Sequence, residues 1–144
     1  MAVQPFNKFN SFVEAVAEKA HNLGSDNLKV MLTNTLPTAA NTKYSDISAT
    51  ELANGAGYTT GGATPTISSS AQTGGVYKLV LADAAWTASA SMGPFRYAVL
   101  YNNTDATTPK GLIGWWDNGS SVTLLNTETF TVDFDATAGV LTLT

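Results

Sequence analysis

Thr129-Phe130-Thr131-Val132-Asp133-Phe134 alternates small polar or charged side chains with large apolar ones at every position. On an extended chain successive side chains point to opposite faces, so Phe130, Val132 and Phe134 go to one side and Thr129, Thr131 and Asp133 to the other. That is a strand with one dry and one wet face, and Leu141 and Leu143 set against Thr142 and Thr144 repeat it. Working outward, stretches of strand character at 76–81, 86–90, 95–102, 112–116, 121–125 and 140–144 are separated by turn residues. Such spacing is that of a sandwich or jelly roll. In 95–102, Phe95, Tyr97, Val99 and Tyr101 fall on one face and Ala98 and Leu100 on the other, which predicts a central strand covered on both sides. Asp117-Asn118-Gly119-Ser120 is predicted to be a tight hairpin turn, because Asn-Gly supplies the positive φ angles such a turn needs.

One segment carries a different period. Phe9, Phe12, Val13, Val16, Ala17, Ala20 and Leu23 recur at three- and four-residue spacing, which predicts an amphipathic helix. Ser11 and Glu14 fit a capping box, Asn7 offers an earlier cap, and Gly24 suits the position after the C-terminus. Such a helix either covers an open face of the sheet or docks on a neighbouring subunit. After Gly24, residues 27–33 read as a strand that stops before Pro37. Residues 36–75 are rich in Thr, Ala, Gly and Ser, with short strands expected at 46–52 and 64–68. Tyr44, Ile47, Leu52, Tyr58 and Ile67 are anchors that a free linker would lack, so this stretch is expected to be ordered. The predicted fold is mainly β, an antiparallel β-sandwich or jelly roll with one N-terminal amphipathic α-helix. It forms a single domain over 1–144, with a helical segment at 1–24 and the sandwich at 25–144.

Composition narrows the function. A chain of 144 residues with 44% hydrophobics supports one sizeable core. Its net charge is −4, and Lys8, Lys19, Lys29, Lys43, Lys78, Arg96 and Lys110 are scattered, so no basic stripe for a phosphate backbone is visible. Charged residues are only 12%, about half the usual share, which implies a largely neutral surface. Covering such a surface with another protein strips water from few ions. The absence of Cys excludes disulfides and thiolate chemistry. The opening MAVQPFNKFN has no apolar signal region, and no apolar run approaches the roughly 18 residues that span a bilayer, so synthesis and folding in the cytoplasm, without a membrane partner, are expected.

Chemistry has few places to reside. His21, the single histidine, lies near the predicted helix C-terminus, where its cation favours the helix dipole; catalysis would need a partner motif that is missing. Asp133 and Asp135 are two apart and suggest either a divalent cation site, glycosidic acid-base work or the ordinary turn composition of 135–139. Trp115 and Trp116 point to opposite faces of a regular strand. Because Ile113 shares a face with Trp115, Trp115 is expected inside and Trp116 outside, an order that a bulge at Gly114 would reverse. The glycines at 55, 57, 61 and 62 spell neither a dinucleotide fingerprint nor a P-loop. No catalytic, cofactor-binding or metal-binding residue is predicted, and the expected class is not an enzyme.

Four stretches together carry a family resemblance: FNKFNSFVEAVAEKAHNLGSDNLKVMLTNTLP, then GPFRYAVLYNNT at 93–104, LIGWWDNGSSVTL at 112–124 and ETFTVDFDATAGVLTL at 128–143. The chain resembles small virion structural proteins of tailed bacteriophages, of the kind that accompany the major capsid protein. The resemblance implies a head decoration or cement protein, located in the virion. Its partners would be the major capsid protein or other virion subunits, with homo-oligomers in the particle. Contacts are expected through strand faces and through Phe6, Phe9 and an exposed Trp116. The alternatives are a tail tube, tail-completion or fibre-associated subunit, and a carbohydrate-binding module stacking sugars on Trp116, Tyr97 or Tyr101.

Overall fold

The computed structural model describes residues 1–104 and 110–144. It is mainly β, with antiparallel sheets and one short α-helix. The strands are β1 (Asn7–Lys8), β2 (Leu28–Thr33), β3 (Ile67–Thr73), β4 (Val76–Leu81), β5 (Ala84–Thr87), β6 (Met92–Asn102), β7 (Leu112–Leu124), β8 (Thr129–Val132) and β9 (Leu141–Leu143), and helix α1 is Ser11–Ala17. They form a four-stranded sheet in the order β1-β7-β6-β2, a three-stranded sheet β3-β4-β9 and the pair β5-β8.

A single apolar core joins the three. Leu28, Val30 and Leu32 of β2, Phe95, Ala98 and Leu100 of β6, and Ile113 and Trp116 of β7 meet Leu79 and Leu81 of β4, Trp86 of β5 and Phe130 and Val132 of β8. Burying such side chains removes about 1.5–3 kcal/mol worth of apolar surface from water for each large residue. The opposite face of the large sheet carries a second core of Phe9, Met31, Ile47, Val99, Tyr101 and Leu112, with Tyr44 and Trp115 at its margin. The central strand β6 is therefore covered on both sides, as its continuous apolar run requires.

Several local expectations change. Phe95 lies in the core opposite to Val99 and Tyr101, because the β6–β7 ladder shifts register between Phe95 and Tyr97. Asp117-Asn118-Gly119-Ser120 is not the hairpin turn: it runs inside β7. Phe95 pairs with Val122 and Tyr97 with Asp117, so residues 118–121 stand opposite Arg96 alone. Arg96 holds this bulge through bonds from Nε and Nη2 to the Asp117 carboxylate at 2.7 and 2.9 Å, and Gly119 N–H donates to Asp117 Oδ1. Positive φ is used here too, at Gly119, but to bulge a strand and not to reverse it. The tight turn joins β3 to β4 through Gly74 and Gly75.

The helix is shorter than its apolar period suggests. Ser11 is a helical residue and the preceding Asn10 makes no side-chain cap bond, so the Ser11–Glu14 capping box is absent. Termination comes at Lys19, not Gly24. Lys19 adopts φ +65°, its N–H donates to Val16 O, and Ala20 N–H donates to Ala15 O. These are the paired bonds of a Schellman stop. Phe12 enters the main core, Val13 remains 54% exposed, and Leu23 is buried from the turn that follows. Residues 46–52 form no strand: Tyr44–Asp46 and Ser48–Thr50 are 3-10 turns. Asp46 fastens the first of them by accepting from Thr42 and Lys43 N–H, which holds its carboxyl below the usual range. The strand expected at 64–68 begins later, at Ile67, and runs to Thr73.

Candidate interaction surface

The residues nominated for contact do not sit where the alternation places them. Trp116 is 4% exposed in the main core beside Ile113, while Trp115 is half-buried on the other face against Phe9, with ring centroids 4.7 Å apart. The β6–β7 register slips between Leu100–Gly114 and Tyr101–Leu112, leaving Ile113 as the extra residue that reverses the order of the two tryptophans. Phe9 is fully buried. Phe6 is half-buried: it packs on Trp116 and lies so close over Gly114 that a Cβ there would overlap its ring. Phe6 also lines a groove of about 450 Å³ with Phe12, Val140 and Leu141. The N-terminal arm is thus a strap across this fold's own seam. Tyr97 and Tyr101 are 7% and 0% exposed, so with Trp116 the sugar-stacking platform has no exposed ring among its nominated members.

Titratable groups are committed to holding segments together. His21 lies four residues beyond Ala17, the last residue of α1, with its ring 5.6 Å from that of Phe12, and its Nδ1 accepts from Asn102 Nδ2 at 3.0 Å. Asn102 also donates to Asp26 at 2.6 Å, tying the 21–27 turn to β6. Asp135 accepts from Thr137 and Ala138 N–H, each at 2.8 Å, and these bonds lower its pKa; the turn reading of 135–139 accounts for it. Among the described residues no group of three or more His, Cys, Asp or Glu is placed to hold a metal ion. No described helix is long and apolar enough to cross a membrane.

Glu51 is a part-buried carboxylate that gathers three donors, and sequence reasoning passed it over. It accepts from the hydroxyls of Tyr44 and Tyr58 and from Gly61 N–H. Tyr58 in turn accepts from Leu32 N–H at 3.1 Å, and Tyr101 donates to Gly61 O at 2.8 Å. Burial, then the Glu51 hydrogen bond, raises the pKa of Tyr44 and Tyr58; burial and the Glu51 charge raise that of Tyr101. The only available signal was a Glu set among neutral residues with tyrosines at 44 and 58.

What the clamp achieves is an edge. Leu52 N–H donates to Leu32 O, and Val30 and Ala63 exchange bonds at 2.8 and 2.9 Å, so residues 51–63 cover the outer side of β2. Other edges are blunted as well. Met1 binds Thr131 O through its ammonium beside β8, β1 and β9 are two and three residues long, and β5 ends against Ala56 and Gly57. β3 differs. It is seven residues long, Ile67-Ser68-Ser69-Ser70-Ala71-Gln72-Thr73, mostly exposed, without charge or proline, and only β4 pairs with it among the described residues. Charge, proline and shortness are among the usual means of keeping an edge from joining another chain, and β3 has none of these three; its one irregularity is a register shift at its start, between Ile67 and Ser69.

Comparison of the chain with protein-family models, with curated proteins and with solved structures finds no match.

Proposed function

We propose that this chain is a structural subunit of a bacteriophage virion, acting as a decoration or cement protein on the assembled head. The single observation that carries a structural role is the contrast between two edges: the chain's own residues 51–63 close the outer side of β2, while the long neutral strand β3 stays available. The resemblance of the sequence to small virion proteins supplies the setting, and the low charge density makes wide contact with other subunits inexpensive in desolvation. A cement protein that binds only the assembled shell stabilises that state by mass action, and many copies sum small contributions. Contacts through the buried Phe9 and Trp116 are replaced in this reading by contacts through the β3 edge and the neutral Ser and Thr faces.

Particles prepared without the protein are expected to lose resistance to heat and osmotic shock, and to regain it when the purified protein is added back. Unchanged resistance would remove the cement role.

A further inference from the structure

The β3 edge has a geometry that selects what can pair with it. Gly74 and Gly75, at φ +59° and +84°, make a two-residue turn, so Thr73 and Val76 form a hydrogen-bonded pair. Pair type then alternates through Gln72–Tyr77, Ala71–Lys78, Ser70–Leu79 and Ser69–Val80. Thr73, Ala71 and Ser69 accordingly direct their backbone N–H and C=O toward β4. Ser70 and Gln72 direct theirs to the open side. The register shift between Ile67 and Ser69 ends the regular stretch on one side, as the glycine turn does on the other.

We propose that a second copy of this chain pairs antiparallel with β3, in a twofold register centred on Ala71. This deepens the structural reading above and rests on it. In that register Ser70 of each copy faces Gln72 of the other, and each of these two pairs exchanges both of its backbone hydrogen bonds. Ala71 meets Ala71 across the axis, and Ser69 meets Thr73. No charge faces a like charge, which would oppose pairing. Centring on Ser70 instead would set Gln72 against the bulged Ser68 and lose regular bonds. A foreign extended peptide gains specificity from pockets beside the edge, whereas the exposed Ser69, Ala71 and Thr73 are too small to build any. The contact is isologous and adds a matching three-stranded sheet to the first. Its small area makes it weak between free chains and effective where a particle holds copies close together.

The chain lacks cysteine, so one introduced thiol is unique. Cα atoms in a non-hydrogen-bonded antiparallel pair are about 4.5 Å apart, within the span of a disulfide. Ala71→Cys at high protein concentration under mild oxidation should give a covalent dimer about tenfold faster than Thr73→Cys, whose thiol faces Ser69 in the partner copy and not itself. Sedimentation of the unsubstituted protein should show mass rising with concentration, and Ala71→Lys should abolish that rise. Equal cross-linking of both cysteine variants, or a mass that stays monomeric throughout, overturns the pairing. Failure here leaves the particle experiment untouched, while unchanged particle resistance removes the cement role and leaves a cross-linked dimer standing.

Discussion

β2 and β3 are both edge strands of similar length, and the chain treats them in opposite ways. β2 carries the core residues Leu28, Val30 and Leu32 and is paired on its outer side by residues 51–63, which Glu51 fastens down by accepting three hydrogen bonds. β3 contributes Ile67 alone to the margin of the core, touches the 22–24 turn at Ser70, and has β4 as its one strand neighbour among the described residues. The difference teaches that closing an edge has a cost in ordered residues, and the fold bears it where core stability depends on the strand. An edge outside the core that also lacks charge is not explained by stability, which is why it is read here as an interface.

The sharpest way to break the comparison is to unfasten the covered edge. Glu51→Ala leaves two tyrosine hydroxyls and the Gly61 N–H without their acceptor. Hydrogen bonds to a charged group each contribute about 1.5–3 kcal/mol, and these three share one anchor, so a total loss of about 3 kcal/mol is expected in urea unfolding. Amide exchange at Leu32 and Val30 should accelerate, because their outer neighbours are released. Glu51→Gln retains an acceptor and should lose less. A wild-type midpoint for Glu51→Ala would show that residues 51–63 hold the edge without the clamp.

A smaller effect comes from alkali. Tyr44, Tyr58 and Tyr101 have pKa values raised in the folded state, first by burial and then by Glu51. Below the ordinary tyrosine value of about 10 both states are protonated and the stabilisation is fully present. Above it the unfolded chain ionises first, so stability falls as pH rises toward the folded-state values. Urea midpoints compared at about pH 8 and about pH 11 should drop more for the native sequence than for Tyr58→Phe, which removes the most strongly shifted phenol. Equal drops would assign the alkaline loss to other groups.

How much of this was legible in the sequence depended on whether a feature propagates along the chain. Phe130, Val132 and Phe134 are buried and Asp133 exposed, as alternation requires, because no bulge interrupts that stretch. The two-sided covering of β6 was visible in its unbroken apolar run. The order of Trp115 and Trp116 was not, since period-two reasoning carries a one-residue slip at Ile113 into every later side chain. Lys19 as a helix stop was hidden because φ > 0 is uncommon for lysine, and the apolar period continued through Ala20 and Leu23 for tertiary reasons. Glu51 with Tyr58, and His21 with Asn102, are partners that only the folded chain brings together. The open edge was legible in composition alone: Ile67 to Thr73 holds no charge, but nothing in one sequence says which strands lie outermost.

The smallest expected effect is also the one that separates the two edges most cleanly. Ala71→Lys places a charge on an exposed position of β3 whose backbone bonds to β4 are untouched. Surface changes away from caps, cores and networks usually alter stability by less than about 0.5 kcal/mol, so the urea midpoint of the isolated chain should barely move. If β3 were an edge of the same kind as β2, held within the fold by contacts that matter to it, the same substitution would cost what an opened ladder costs. An unchanged midpoint together with lost self-association would therefore mean that β3 is dispensable to the folded chain and required between chains. A large fall in the midpoint would make β3 an ordinary part of the core scaffold and withdraw its assignment as an interface.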